Sequence, residues 1–141
     1  MKDRVKQAAG EAGLPFADRT KTYNSRLAQE LGKWAEQMNR GDSFHHAAFN
    51  AYFAEGINIA KIPALVEIAA SVGLPREEAE DVLVKRTFKA DVDEDWSLAR
   101  RTGITAVPTF VMDGGRLVGA QPYEMLEELM EVKKIQKRKN Q

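Results

Sequence analysis

The most specific chemistry in this 141-residue chain lies in the segment Gly103-Ile104-Thr105-Ala106-Val107-Pro108-Thr109-Phe110-Val111, and it is backbone chemistry. A proline that opens a strand has no N–H to donate, so it belongs at a sheet edge or a strand start. The residue before it, Val107, is pushed to extended geometry, which leaves its backbone groups free to pair with something else. X-Pro bonds are cis in only about 5–6% of cases in folded proteins, so the residues alone do not predict a cis bond here.

Other constellations read more plainly. The chain has no cysteine, hence no disulfide framework and no thiolate nucleophile or ligand. His45 and His46 are adjacent, so on a helix they diverge by about 100° and cannot share a metal. Asp91-Val92-Asp93-Glu94-Asp95 starts like a calcium loop. Trp96 and Thr102 stand where such a loop needs glycine and glutamate, so an acidic helix start is the expectation. Gly114-Gly115 and Gly119 do not lead into a helix as a phosphate loop would. Neither metal nor cofactor is expected.

A sharper rival is the helix-turn-helix spacing of Ala69, Gly73 and Val82. Its would-be recognition helix opens Pro75-Arg76-Glu77-Glu78-Ala79-Glu80-Asp81, and four carboxylates would face phosphates. An ordinary helical hairpin is the better reading, and the acids complement the positive end of its helix dipole. The formal net charge is zero, so no global field draws in nucleic acid or an anionic membrane. No stretch approaches the roughly 20 apolar residues of a membrane span. The first residues show no apolar leader region, and a cytoplasmic location is the default expectation.

Helices must position the proline segment. Val5, Ala8, Ala9 and Ala12 share one face, ended by Gly13 and Pro15. Leu27, Leu31, Trp34, Ala35 and Met38 form a second stripe, stopped by Gly41. Phe44, Ala48, Phe49, Tyr52 and Phe53 form a third, ending at Gly56 and expected to be mostly core. Pro63 opens a fourth helix with Leu65, Val66, Ile68, Ala69 and Val72, and Gly73 closes it. A fifth starts at Pro75, with Ala79, Val82 and Leu83 inward. A sixth begins near Asp93, buries Trp96 and Ala99, and stops at Gly103. Residues 104–112 then turn β-branched and aromatic, Asp113-Gly114-Gly115 signals a turn, and Arg116-Leu117-Val118 returns. Pro122 starts a last helix with Met125, Leu126, Leu129 and Val132 inward. The tail from Lys133 to Gln141 is basic.

The order predicts an α+β, mostly helical fold: residues 1–102 helical, residues 103–141 a ββα unit. A lone hairpin is marginal in water and leaves strand edges unpaired. Its neighbours must come from elsewhere, either further chain or a second copy, so a homodimer is an expected partner.

The T-x-V-P-T-F string and Leu117-Val118-Gly119-Ala120-Gln121-Pro122-Tyr123-Glu124 before a final helix resemble the C-terminal ββα of DsbA-like thioredoxin-fold oxidoreductases. The FrnE-like branch is similar further upstream: Arg19-Thr20-Lys21-Thr22-Tyr23-Asn24-Ser25-Arg26-Leu27-Ala28-Gln29-Glu30-Leu31, Phe44-His45, Ala51-Tyr52-Phe53 and Glu55-Gly56-Ile57-Asn58-Ile59. The resemblance implies a helical lid subdomain inserted in a thioredoxin fold. It also implies a cis-proline at Pro108, and a substrate-binding segment, Ala106, Val107 and Pro108, that pairs with an extended peptide or protein substrate. It adds a groove role for Phe44 and His45.

The departure from the family is large. Family members carry a Cys-x-x-Cys at a helix start, where the helix N-terminus lowers the nucleophile's pKa. This chain has no counterpart, so no residue in it is expected to be catalytic. The expectation is a C-terminal part of a disulfide oxidoreductase, inactive alone. Two readings compete with it: a non-catalytic peptide-binding module using Val107-Pro108, and DNA binding through residues 65–85.

Overall fold

The computed structural model describes residues 2–18 and 20–136. Among them, seven α-helices and one hairpin follow in the expected order. They are α1 (Lys2–Glu11), α2 (Arg26–Gln37), α3 (Gly41–Phe49), α4 (Ile62–Ser71), α5 (Arg76–Lys85), α6 (Lys89–Arg101), β1 (Thr109–Met112), β2 (Gly115–Val118) and α7 (Tyr123–Val132). A π-helical segment, Asn50–Ala54, continues α3 directly. The chain divides into two compact units, Met1–Glu94 and Asp95–Gln141. The division falls inside α6, whereas the sequence suggests a boundary at its end.

In the first unit the apolar stripes meet as their spacing requires. Leu31 and Ala35 of α2, Phe44 of α3, Leu65 and Ala69 of α4, and Ala79 and Leu83 of α5 are all buried in one cluster. Each of these four helices thus buries one face and wets the other, whereas in α1 Val5 and Ala8 are exposed and Ala9 is only half-buried. Pro63 occupies the first turn of α4, where a missing N–H costs nothing. Gly73 ends it at φ +84, with the Leu74 N–H reaching back to Ala69 O at 3.1 Å. On α5 the acids Glu77, Glu78, Glu80 and Asp81 are exposed.

One charged group sits inside this unit. The Glu30 side chain is 1% exposed and accepts from two guanidiniums. Arg86 grips both its oxygens at 2.7 and 2.6 Å, and Arg26 donates to it at 2.8 Å. Arg26 also bonds Asp93 Oδ1 and the Lys89 carbonyl, tying α2 to the start of α6. Hydrogen bonding to Arg86 holds the Glu30 carboxyl below its ordinary range against the opposing pull of burial.

The sixth helix and the aromatic stripe depart from expectation. α6 starts at Lys89, not near Asp93: Phe88 and Val92 are buried, which pins its first turn to the core. Trp96 is 45% exposed rather than inward, and Ala99 is only half-buried. The aromatic stripe divides. Phe44 is buried, Ala48 and Tyr52 are half-buried, and Phe49 and Phe53 are exposed. The last two stand one position beyond the row of Phe44, Ala48 and Tyr52, so they project to one side of the buried line.

In the second unit β1 and β2 pair antiparallel, from Thr109↔Val118 to Met112↔Gly115. Asp113 (φ 43) and Gly114 (φ 77) are both left-handed, the type I′ turn whose twist suits a two-residue hairpin. α7 packs on β2 so closely that a Cβ on Gly115 would lie 2.7 Å from Leu129 Cδ1 and 2.6 Å from Lys133 Cε. None of the described residues from Asp95 onward is buried. Met125 and Val132, expected inward, are exposed, while Leu126 and Leu129 reach only half burial. Two strands offer too little surface to cover a helix face. Of the basic tail, Lys137, Arg138 and Lys139 lie outside the described residues. Among those described, no helix is long and apolar enough to cross a membrane.

Candidate functional site

The segment Ile104–Pro108 leaves α6 and enters β1 as a short, exposed loop. α6 ends with Gly103 at φ +70 and the Ile104 N–H bonded to Ala99 O at 2.9 Å. The loop's far end is fixed twice. The Gly119 N–H donates to Pro108 O at 2.8 Å, and Thr109 Oγ1 donates to Ala106 O at 2.6 Å. Between these points the Val107-Pro108 peptide bond is cis and Val107 is 89% exposed.

Hydrogen bonding sets which backbone groups remain available. In an antiparallel ladder, directly hydrogen-bonded pairs alternate with pairs whose groups point away. The Gly119–Pro108 bond puts Phe110↔Leu117 and Met112↔Gly115 in the bonded class. Thr109 and Val111 therefore turn their N–H and C=O outward from β2, along an edge that Val107 extends. No described residue hydrogen-bonds the Val107 N–H or C=O. The side chains of Val111 and Val118 are about half exposed, on the face opposite Gly115 and Leu117. Such an edge can accept a further extended strand and hold it by main-chain bonds.

The other residues singled out by sequence lie in the first unit. Phe44 is fully buried in the helical core, so its side chain is packing material and not a groove wall. His45 is half-buried, its ring against Gly32 and its Nε2 3.2 Å from Glu36 Oε1. His46 is exposed and lines a separate apolar cavity of about 510 Å³ with Val5, Leu14, Phe16, Phe49 and Phe53. Part of the third aromatic stripe thus lines a cavity rather than the core, as the position of Phe49 and Phe53 one residue off the buried row allows. Among the described residues, no group of three or more His, Asp or Glu could hold a metal ion.

The model of the DSBA-like thioredoxin domain matches residues 1–131, so the chain belongs to that family. The crystal structure of the probable DsbA oxidoreductase SCO1869 from Streptomyces coelicolor superposes with a TM-score of 0.83 at 26% identity, covering 99% of this chain and 62% of that one. YwbO of Bacillus subtilis (strain 168), described as uncharacterized, is 31% identical over 103 residues, which is 72% of this chain and 52% of YwbO. DsbM from Pseudomonas aeruginosa, described as a cytosolic disulfide reductase, has a TM-score of 0.64 at 24% identity, covering 92% of this chain and 75% of that one, and shares the fold. The mostly helical α+β fold is thus DsbA-like with its helical insertion. The chain spans about half of its curated relative's length and under two thirds of the Streptomyces chain.

Proposed function

We propose that this chain supplies the peptide-holding side of a thiol–disulfide oxidoreductase of the FrnE-like branch, with the redox cysteines supplied from outside these 141 residues. Exchange needs a thiolate to attack a disulfide sulfur, and the chain has none. The observation that supports the reading is the exposed Val107, whose unpaired backbone groups continue the edge of β1. An extended substrate peptide would lie along this edge, with Ala106, Val107 and Pro108 setting its register. The helical unit would act as the lid. A cytoplasmic setting belongs to the same proposal and is tested by cell fractionation.

The chain alone should not reduce a disulfide-bonded peptide. Fusing an upstream β-α-β segment that carries Cys-x-x-Cys should confer that activity. A fusion that folds yet leaves every test disulfide intact would count heavily against the proposal.

A further inference from the structure

We propose that Arg116 is a positioning residue for the Val107-Pro108 loop, a role that rests on reading that loop as the peptide-binding edge. The Arg116 guanidinium donates to the Gly103 carbonyl at 2.8 Å and also to the Thr102 carbonyl. These carbonyls stand just past the C-terminal end of α6, where backbone oxygens lack helical partners and the dipole favours a cation. A planar fork of N–H donors suits two neighbouring oxygens, which a lysine ammonium does not match.

The position of Arg116 on β2 is what makes this more than a helix cap. β2 already fixes the loop's exit, through the Thr109↔Val118 pairing and the Gly119 N–H on Pro108 O. Arg116, two residues before Val118, fixes the entry at Gly103. A single four-residue strand therefore spans both ends of the loop and sets the distance between them. Gly103 sits at a φ of +70, which favours glycine, and a Cβ there would only touch Arg116 Nη1 at 3.4 Å, an ordinary contact distance. With both ends held, Val107 is offered in one place without any hydrogen bond to its own N–H or C=O. A partner strand then binds without first ordering the loop.

The test uses the ¹⁵N-labelled 141-residue chain with Arg116→Met and Arg116→Lys. Amide exchange is read at Ile104, whose N–H bonds Ala99 O, with Leu31 in the helical unit as internal reference. Binding is read by anisotropy with a fluorescein-labelled seven-residue peptide of alternating valine and threonine. Arg116→Met should exchange about tenfold faster at Ile104 and bind the peptide about tenfold more weakly, the scale of losing hydrogen bonds from a charged donor. Leu31 should not change, and Arg116→Lys should fall between. An Arg116→Met chain equal to wild type in Ile104 exchange, or equal to a wild-type chain that does bind the peptide, overturns the proposal, as does an Arg116→Lys chain no better than Arg116→Met. A wild-type chain that ignores the peptide overturns the reading of Val107 instead, and the Ile104 exchange rates still judge the clamp.

Discussion

Glu30 in α2 and Arg86 at the end of α5 form a two-pronged ion pair across 56 residues of sequence, with Nε to Oε2 at 2.7 Å and Nη2 to Oε1 at 2.6 Å. The carboxylate is almost wholly removed from water, while Arg86 keeps 41% of its side chain exposed. Arg86 also adopts a left-handed backbone at φ 55, unusual for a residue with a Cβ. Removing either partner should therefore be unequal. Arg86→Ala strands a buried charge with Arg26 alone, and should cost about 3 kcal/mol in urea unfolding. Glu30→Ala leaves Arg86 partly exposed and Arg26 still bonded to Asp93, and should cost less. A double-mutant cycle should show a coupling of at least about 1 kcal/mol.

The same carboxylate gives a pH signature. Its folded pKa lies below the ordinary value of 4.5, chiefly through the Arg86 hydrogen bonds. A depressed folded pKa means that the unfolded chain takes up the proton first on acidification. The stabilisation is present in full above the unfolded value and fades as pH falls from about 4.5 toward the folded one. The stability gap between wild type and Glu30→Gln should stay level from pH 7 to 5.5, then shrink below about pH 4.5. A gap that widens on acidification would contradict the assignment.

A side chain at Gly115 should be destabilising, because neighbouring side chains must shift to admit it. A Cβ there would meet Leu129 of α7 and Lys133 just past its end, and also lie 3.2 Å from the Met112 carbonyl. Gly115→Val should cost about 1–3 kcal/mol by overpacking. The measurable result is loss of amide protection along α7, with α2 unchanged.

The open edge of β1 should promote self-association. Val107, Val111 and Val118 are exposed around it, and pairing two copies would cover them. Sedimentation velocity should show dimer rising with concentration, and Val111→Lys with Val118→Lys should return the chain to monomer. Wild-type monomer at high concentration would remove this expectation.

Local pattern carried the fold a long way. Six helices, a hairpin and a closing helix follow from stripes such as Leu27-Leu31-Trp34-Ala35 and from stops at Gly73 and Gly103, because burial and termination are short-range matters. Val107-Pro108 was visible for the same reason: proline acts on its immediate neighbour. The Glu30–Arg86 pair was not, since nothing near Glu30 announces a partner in another helix. Trp96, Met125 and Val132 misled because helical spacing shows which residues share a face, not whether anything covers it. Phe49 and Phe53 line a cavity for a related reason, as the two rings stand one position off the buried row.

Every fully buried apolar side chain described in this protein precedes residue 93, and Val92 is the last of them. Proteases cut where a chain opens locally, and opening is cheapest where little apolar surface is sequestered. Digestion should therefore consume the hairpin and α7, together with the stretch before Ala28, whose described residues are equally unburied, and leave a resistant helical remnant that ends within α6.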